Sequence, residues 1–102
     1  MITFEENIDN ICKEIKEVLI QKNSDYDNAS LSTGDSLWNL VGNQVRIYDK
    51  VNRYKSLVKK EMKGDVPNYE SMGDTILDII GYGILGRMIY LEYIGKMKDD
   101  VS

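Results

Sequence analysis

Glu70, Asp74 and Asp78 are the residues whose types and spacing most suggest chemistry, lying in "YESMGDTILDIIGYGIL". On a helix, a spacing of four sets them along one side with a drift of about 40° per step. Acids near a helix N-terminus gain about 0.3–1 kcal/mol each from the macrodipole. That accounts for Glu70 and in part Asp74, but poorly for Asp78, more than two turns in among isoleucines. Like charges four residues apart repel, so the stripe calls for a cation. Lys or Arg from another helix is one source. Mg²⁺ is the other, since it takes one or two carboxylates, several waters and a substrate's phosphates. Asp49, Glu70, Asp74 and Asp78 are the ligands in that second case, and the pattern leaves both open.

Arg46, Lys50 and Arg53 in "VRIYDKVNRYK" carry the matching positive charge. Arg recognises phosphate with a bidentate fork, whereas Lys acts as a point charge. The simpler reading of the three is a solvated face, with Asp49 well spaced to pair with Arg46 and Arg53. Lys22, Asp25 and Tyr26 sit in "QKNSDYDNAS". Tyr26 there stacks on a base or anchors its loop. The chain has no histidine to serve as a base, and its one cysteine, Cys12, forms no internal disulfide. Cys12 reads as a small buried apolar residue.

The 102 residues are read as one helical domain, 1–102, of all-α class. "NIDNICKEIKEVLIQK" repeats Ile8, Ile11, Cys12, Ile15, Val18 and Leu19 at helical steps, predicting a helix over about 4–22 with a Thr3–Glu6 capping box. The polar stretch 23–34 is read as a loop, long enough to suggest a role of its own. A second helix is expected over about 35–62, packing through Leu37, Leu40, Val41, Gln44, Tyr48, Val51, Tyr54 and Val58, with Arg46, Lys50 and Arg53 pointing away. Trp38 is assigned to the core. Gly64 suits the end of that helix, and Pro67 forbids simple continuation. The third helix, about 69–98, is apolar around most of its circumference and so belongs inside a structure. Gly81, Gly83 and Gly86 each cost it roughly 1 kcal/mol in propensity, which close approach of another helix would offset. Three helices leave the third incompletely covered, and the expectation is a homo-oligomeric helical bundle.

Three patches, taken in order, resemble the first type of the nucleotide modification associated domain family, found in phages and bacteria. "KNSDYDNAS" resembles its "KNxDYGxS" signature, with Asp27 where glycine is common. "VRIYDKVNRYKSLV" is similar to its second-helix motif, and "ESMGDTILDIIGYGIL" to its "ESxxDTxxDxxxY" helix. A more distant likeness is to all-α MazG and dUTPase-type NTP pyrophosphatases, whose "EExGD" is similar to "ESMGD", with Ser71 in place of a metal-binding glutamate. The resemblance implies phage-type nucleotide metabolism, with Lys22, Asp25, Tyr26, Arg46, Asp49, Lys50, Arg53, Glu70, Ser71, Asp74, Thr75, Asp78 and Tyr82 at the family positions. In that reading Lys22, Tyr26, Arg46, Lys50 and Arg53 bind nucleotide and phosphate, and Asp25, Ser71, Thr75 and Tyr82 support them.

Two classes of function follow. One is a Mg²⁺-dependent enzyme that cleaves or modifies a nucleotide. The other is a non-catalytic sponge that captures a nucleotide or cyclic-nucleotide immune signal, an anti-defence role. A protein-binding adaptor is the third reading. The net charge of −4 and the lack of a basic block give no duplex-DNA footprint. Asp78, Arg87 and Glu92 interrupt the most apolar stretch, against a membrane span. The polar opening "MITFEENIDN" is no signal peptide, so the expected location is the cytoplasm, that of the host if the chain is phage-encoded.

Overall fold

A computed structural model describes residues 1–25, 35–65 and 69–101, with the side chains of 24, 25, 69–71 and 97–101 outside that description. It is all-α: α1 runs Phe4–Asp25, α2 Ser36–Met62 and α3 Tyr69–Val101. The chain divides into two compact units, Met1–Ser32 with α1 and Thr33–Ser102 with α2 and α3.

In the first unit, Thr3 Oγ1 accepts a hydrogen bond from the Glu6 N–H at 3.1 Å, capping α1 as its sequence foretold. Glu5 and Glu6 in the first turn and Lys22 in the last match the macrodipole. Ile15 is buried, but Cys12 is exposed, contrary to the reading of a buried thiol. It lies about 60° round the helix from Ile15, at the edge of the apolar stripe.

In the second unit, Asp35 caps α2: its Oδ1 accepts from the N–H groups of Leu37 at 3.0 Å and Trp38 at 3.3 Å. The other end closes with a Schellman motif. Gly64 N–H reaches the Glu61 carbonyl and Asp65 N–H the Lys60 carbonyl, both at 3.1 Å. Gly64 stands at φ +79°, where a Cβ is strained, so glycine is needed there.

α2 and α3 pack antiparallel. Asn43 Nδ2 donates to the Tyr82 carbonyl at 2.8 Å, and one helical stretch further along α2, Lys50 Nζ meets Asp78 Oδ2 at 2.9 Å. The α2 residues with reduced exposure are Ser36, Asn39, Leu40, Asn43, Ile47, Lys50, Leu57 and Val58, which recur at helical spacing along one side. This face is turned about 80° from the apolar face expected of the sequence. Leu37, Val41, Tyr48 and Val51 are therefore exposed, and Trp38, assigned to the core, is 70% exposed. The reason lies in α3, which offers a carboxylate at Asp78 and a notch at Gly86. Those two features fit Lys50 and Asn43, while Leu40, Ile47 and Leu57 supply apolar area to the same seam. On α3, Thr75, Asp78, Tyr82, Leu85, Gly86, Ile89 and Tyr93 form the corresponding stripe, with Thr75 and Ile89 buried. The Ser36 hydroxyl at the head of the seam is buried and meets no hydrogen-bond partner among the described residues.

Close approach of another helix was expected at the α3 glycines, and α2 supplies it at Gly86. A Cβ there would stand 2.5 Å from Asn43 Oδ1, whereas one at Gly83 would meet nothing within 4 Å. The two positions consequently respond differently to alanine. Gly83→Ala gains about 1 kcal/mol of helix propensity and raises the midpoint of thermal unfolding by about 4–8 °C. Gly86→Ala makes the same local gain but expels the Asn43 amide, losing a hydrogen bond worth about 1 kcal/mol, and leaves the midpoint unchanged or lower. Circular dichroism melts of the two variants check this. Equal stabilisation by both would mean that Asn43 is not lodged against Gly86.

Candidate functional site

The seam between α2 and α3 carries the charged residues singled out by sequence, and it sorts them. Lys50 lies on the α3-facing side of α2, not away from the packing face as its spacing suggested. Its side chain is 31% exposed and that of Asp78 is 19% exposed, so their ion pair is partly desolvated. A pair at 2.9 Å in such surroundings is stronger than a solvated one, because less water screens it. The cation demanded by Asp78 is thus supplied by a neighbouring helix of the same chain.

Arg46 and Arg53 are exposed and flank Lys50 on the same sector of α2. Seven residues apart, they are two turns and about 10 Å from one another along the helix axis. Neither guanidinium is buried, so each can present its planar fork to a ligand in solution. Asp49 is also exposed, beside them on α2. Asp74 is exposed on α3, having drifted out of the seam by one 40° step from Asp78. Thr75 is buried and Tyr82 is half-buried, its carbonyl held by Asn43.

The remaining sequence candidates belong to other segments of the chain. Glu70 and Ser71 lie in the first turn of α3, with side chains outside the described residues, and Tyr26 is outside them altogether. Lys22 and Asp25 belong to the last turns of α1, in the other unit; Lys22 is exposed. Among the described residues, no three acidic or cysteine side chains gather closely enough to hold a metal ion. Asp78 is engaged by Lys50, and Asp49 and Asp74 stand in solvent, so these three do not fit a magnesium cradle as they are placed.

A surface depression of about 470 Å³ occurs on the C-terminal half of α2, lined by Asn52, Lys55, Ser56, Lys59, Lys63 and Asp65 among others. It contains none of the residues picked out by sequence. Lysines there also suit the negative end of the α2 macrodipole, which is sufficient reason for their position.

Sequence reasoning named Gly86 as a place of close helix approach but missed Asn43, the residue that fills it. The signal was present in α2: Leu40, Asn43, Ile47, Lys50 and Leu57 follow a seven-residue repeat in which the polar members share a face with apolar ones. Weighting by hydrophobicity alone moved the face to the wrong side. Among the described residues, no helix is long and apolar enough to cross a membrane. No protein-family model, curated protein or solved structure matches the chain.

Proposed function

We propose that the chain binds a phosphate-bearing nucleotide along the α2 face of this seam and holds it without turning it over. The observation that carries the reading is the arrangement of three cations on one sector: Lys50 fixed by Asp78, with exposed Arg46 and Arg53 on either side. Asp78 holds Lys50 in place, and the two guanidinium groups remain available for phosphate. Their separation of about 10 Å along the axis suits a ligand with two phosphate groups, such as a cyclic dinucleotide or a nucleoside polyphosphate. The ordered motif likeness around Lys22, Arg46 and Glu70 points to the same class of ligand.

Capture is favoured over catalysis by the use of Asp78 in an ion pair. An acid bonded to an ammonium group at 2.9 Å is occupied and does not serve as a magnesium ligand in that arrangement. With no histidine in the chain, a general base would have to come from the acids as well.

Isothermal titration calorimetry against nucleoside mono-, di- and triphosphates and cyclic dinucleotides, with and without Mg²⁺, tests the proposal. Chromatography of the recovered ligand accompanies it. At least one phosphate-bearing ligand is expected to bind at micromolar concentration or below and to return intact. Arg53→Ala should weaken that binding about tenfold or more, as expected for loss of a charge-assisted contact of about 1.5–3 kcal/mol. Absence of binding across the panel would overturn the reading, and formation of a product would replace capture with catalysis.

A further inference from the structure

Asp49 sits among the three cations of the phosphate-binding sector, and its charge opposes any phosphate that approaches them. It stands three residues after Arg46 and four before Arg53, exposed like both of them. That spacing suits an ordinary intrahelical ion pair. Yet among the described residues Asp49 closes no such pair, and both guanidinium forks stay open. Asp78 differs, being bonded to Lys50 at 2.9 Å. Arg46, Lys50 and Arg53 are thus set against Asp49 and Asp78, and the sector carries a balance of only +1.

So small a surplus favours a ligand that brings little charge and spreads it widely. In a nucleoside polyphosphate the phosphates are joined through single oxygens, so the whole charge gathers in one place. In a cyclic dinucleotide each phosphate is a diester with one charge, and the sugars hold the two apart. Arg46 and Arg53 are likewise apart, about 10 Å along the axis and about 20° round the helix. One diester on each guanidinium leaves Asp49 beside two singly charged groups. A polyphosphate on either arginine brings its full charge to within about one turn of Asp49.

We propose that Asp49 is a specificity residue: it restricts the site to ligands with separated, singly charged phosphodiesters and turns nucleoside polyphosphates away. The proposal rests on the capture reading above and narrows its ligand class. Selectivity often comes from repelling the wrong ligand, in addition to attracting the right one. A carboxylate between two phosphate-binding arginines supplies that repulsion, whereas an amide there would suit a polyphosphate better.

Cyclic di-AMP and diadenosine tetraphosphate form a matched pair, with the same two adenosines and charges of about −2 and about −4. Their guanine counterparts form a second pair. Calorimetry in metal-free buffer at low salt, where surface charges are least screened, measures all four. The parent chain should bind the cyclic member of a pair about tenfold more tightly than the tetraphosphate. Interaction with one carboxylate scales with ligand charge, so the factor for four charges is the square of that for two. Asp49→Asn should accordingly tighten the cyclic ligand about threefold and the tetraphosphate about tenfold. Asp49→Glu keeps the charge and should keep the parent's ranking. High salt should narrow the parent's preference, a response that a merely structural role of Asp49 would not give.

Equal or tighter binding of the tetraphosphates by the parent chain would overturn this inference and leave capture standing. So would an Asp49→Asn variant that keeps the parent's ratio. Binding of none of the four would overturn it as well, and the wider nucleotide panel then decides whether capture itself survives.

Discussion

Lys50→Ala lowers the free energy of unfolding by about 2 kcal/mol, between the 0.2–1 kcal/mol of a solvated pair and the 3–5 kcal/mol of a buried pair broken on one side. The intermediate figure follows from the exposure of the two side chains, 31% and 19%, at a separation of 2.9 Å. Removing the ammonium group leaves a largely buried carboxylate facing α2, and the cost is chiefly that of the stranded charge. Asp78→Asn should cost less, because an amide tolerates the seam better than an unpaired charge does. Lys50→Met combined with Asp78→Asn should recover a large part of the loss, so the double-mutant cycle shows a coupling of more than about 1 kcal/mol. Urea unfolding of the four proteins, at low and high salt, measures this. A single-variant loss below about 0.5 kcal/mol, with no coupling, would mean that the pair is a surface contact and does not fix α2 against α3.

Ile89→Ala has an expected cost of about 2–5 kcal/mol, the range for truncating a buried Ile to Ala. Ile89 is 3% exposed and shares its stripe of α3 with Asp78 and Tyr82. Met88, the residue before it, is 46% exposed, and Met88→Ala should change stability by no more than about 0.5 kcal/mol. Against a total of about 5–15 kcal/mol for a small domain, the first substitution lowers the unfolding midpoint by 10 °C or more and the second leaves it nearly unchanged. Adjacent residues with opposite outcomes test the rotational setting of α3. Equal losses at both positions would show that α3 is covered on its Met88 side as well, and that the stripe is wrongly assigned.

Much of the fold was legible because helix boundaries depend on local chemistry. Thr3, Asp35 and Gly64 announce their ends through a hydroxyl, a carboxylate and a missing Cβ, and each is found in the role its type allows. Which way a helix faces is a different kind of information. It depends on the partner surface, and α2 has two candidate seams about 80° apart or more. Counting apolar residues selected the Leu37–Tyr48 side. The helix that packs against it favoured the Asn43–Lys50 side, where Gly86 admits an amide and Asp78 neutralises an ammonium group.

The same distinction governs the candidate site. That Asp78 needs a cation could be argued from its depth in an apolar helix, and the identity of that cation as Lys50 could not, since Lys50 had been placed on the opposite face. Arg46, Lys50 and Arg53 were grouped by spacing, with a solvated face as the simpler reading; the two arginines are exposed and Lys50 is not. Asp74 was grouped with Asp78 by its four-residue spacing. The helical drift of 40° carries it out of the seam, so the Asp74–Asp78 part of the acid stripe divides into one half-buried ion pair and one solvated carboxylate.

The most direct test of the account is a nitrogen-15 chemical-shift titration of the chain with a cyclic dinucleotide and, separately, a nucleoside triphosphate. Shift changes with at least one of them are predicted to concentrate on the amides of residues 46–53 and 78–82 and on the side-chain Nε–H groups of Arg46 and Arg53. No change with either ligand, or changes confined to the Lys55–Lys63 depression, would contradict the assignment of phosphate binding to the Lys50–Asp78 seam.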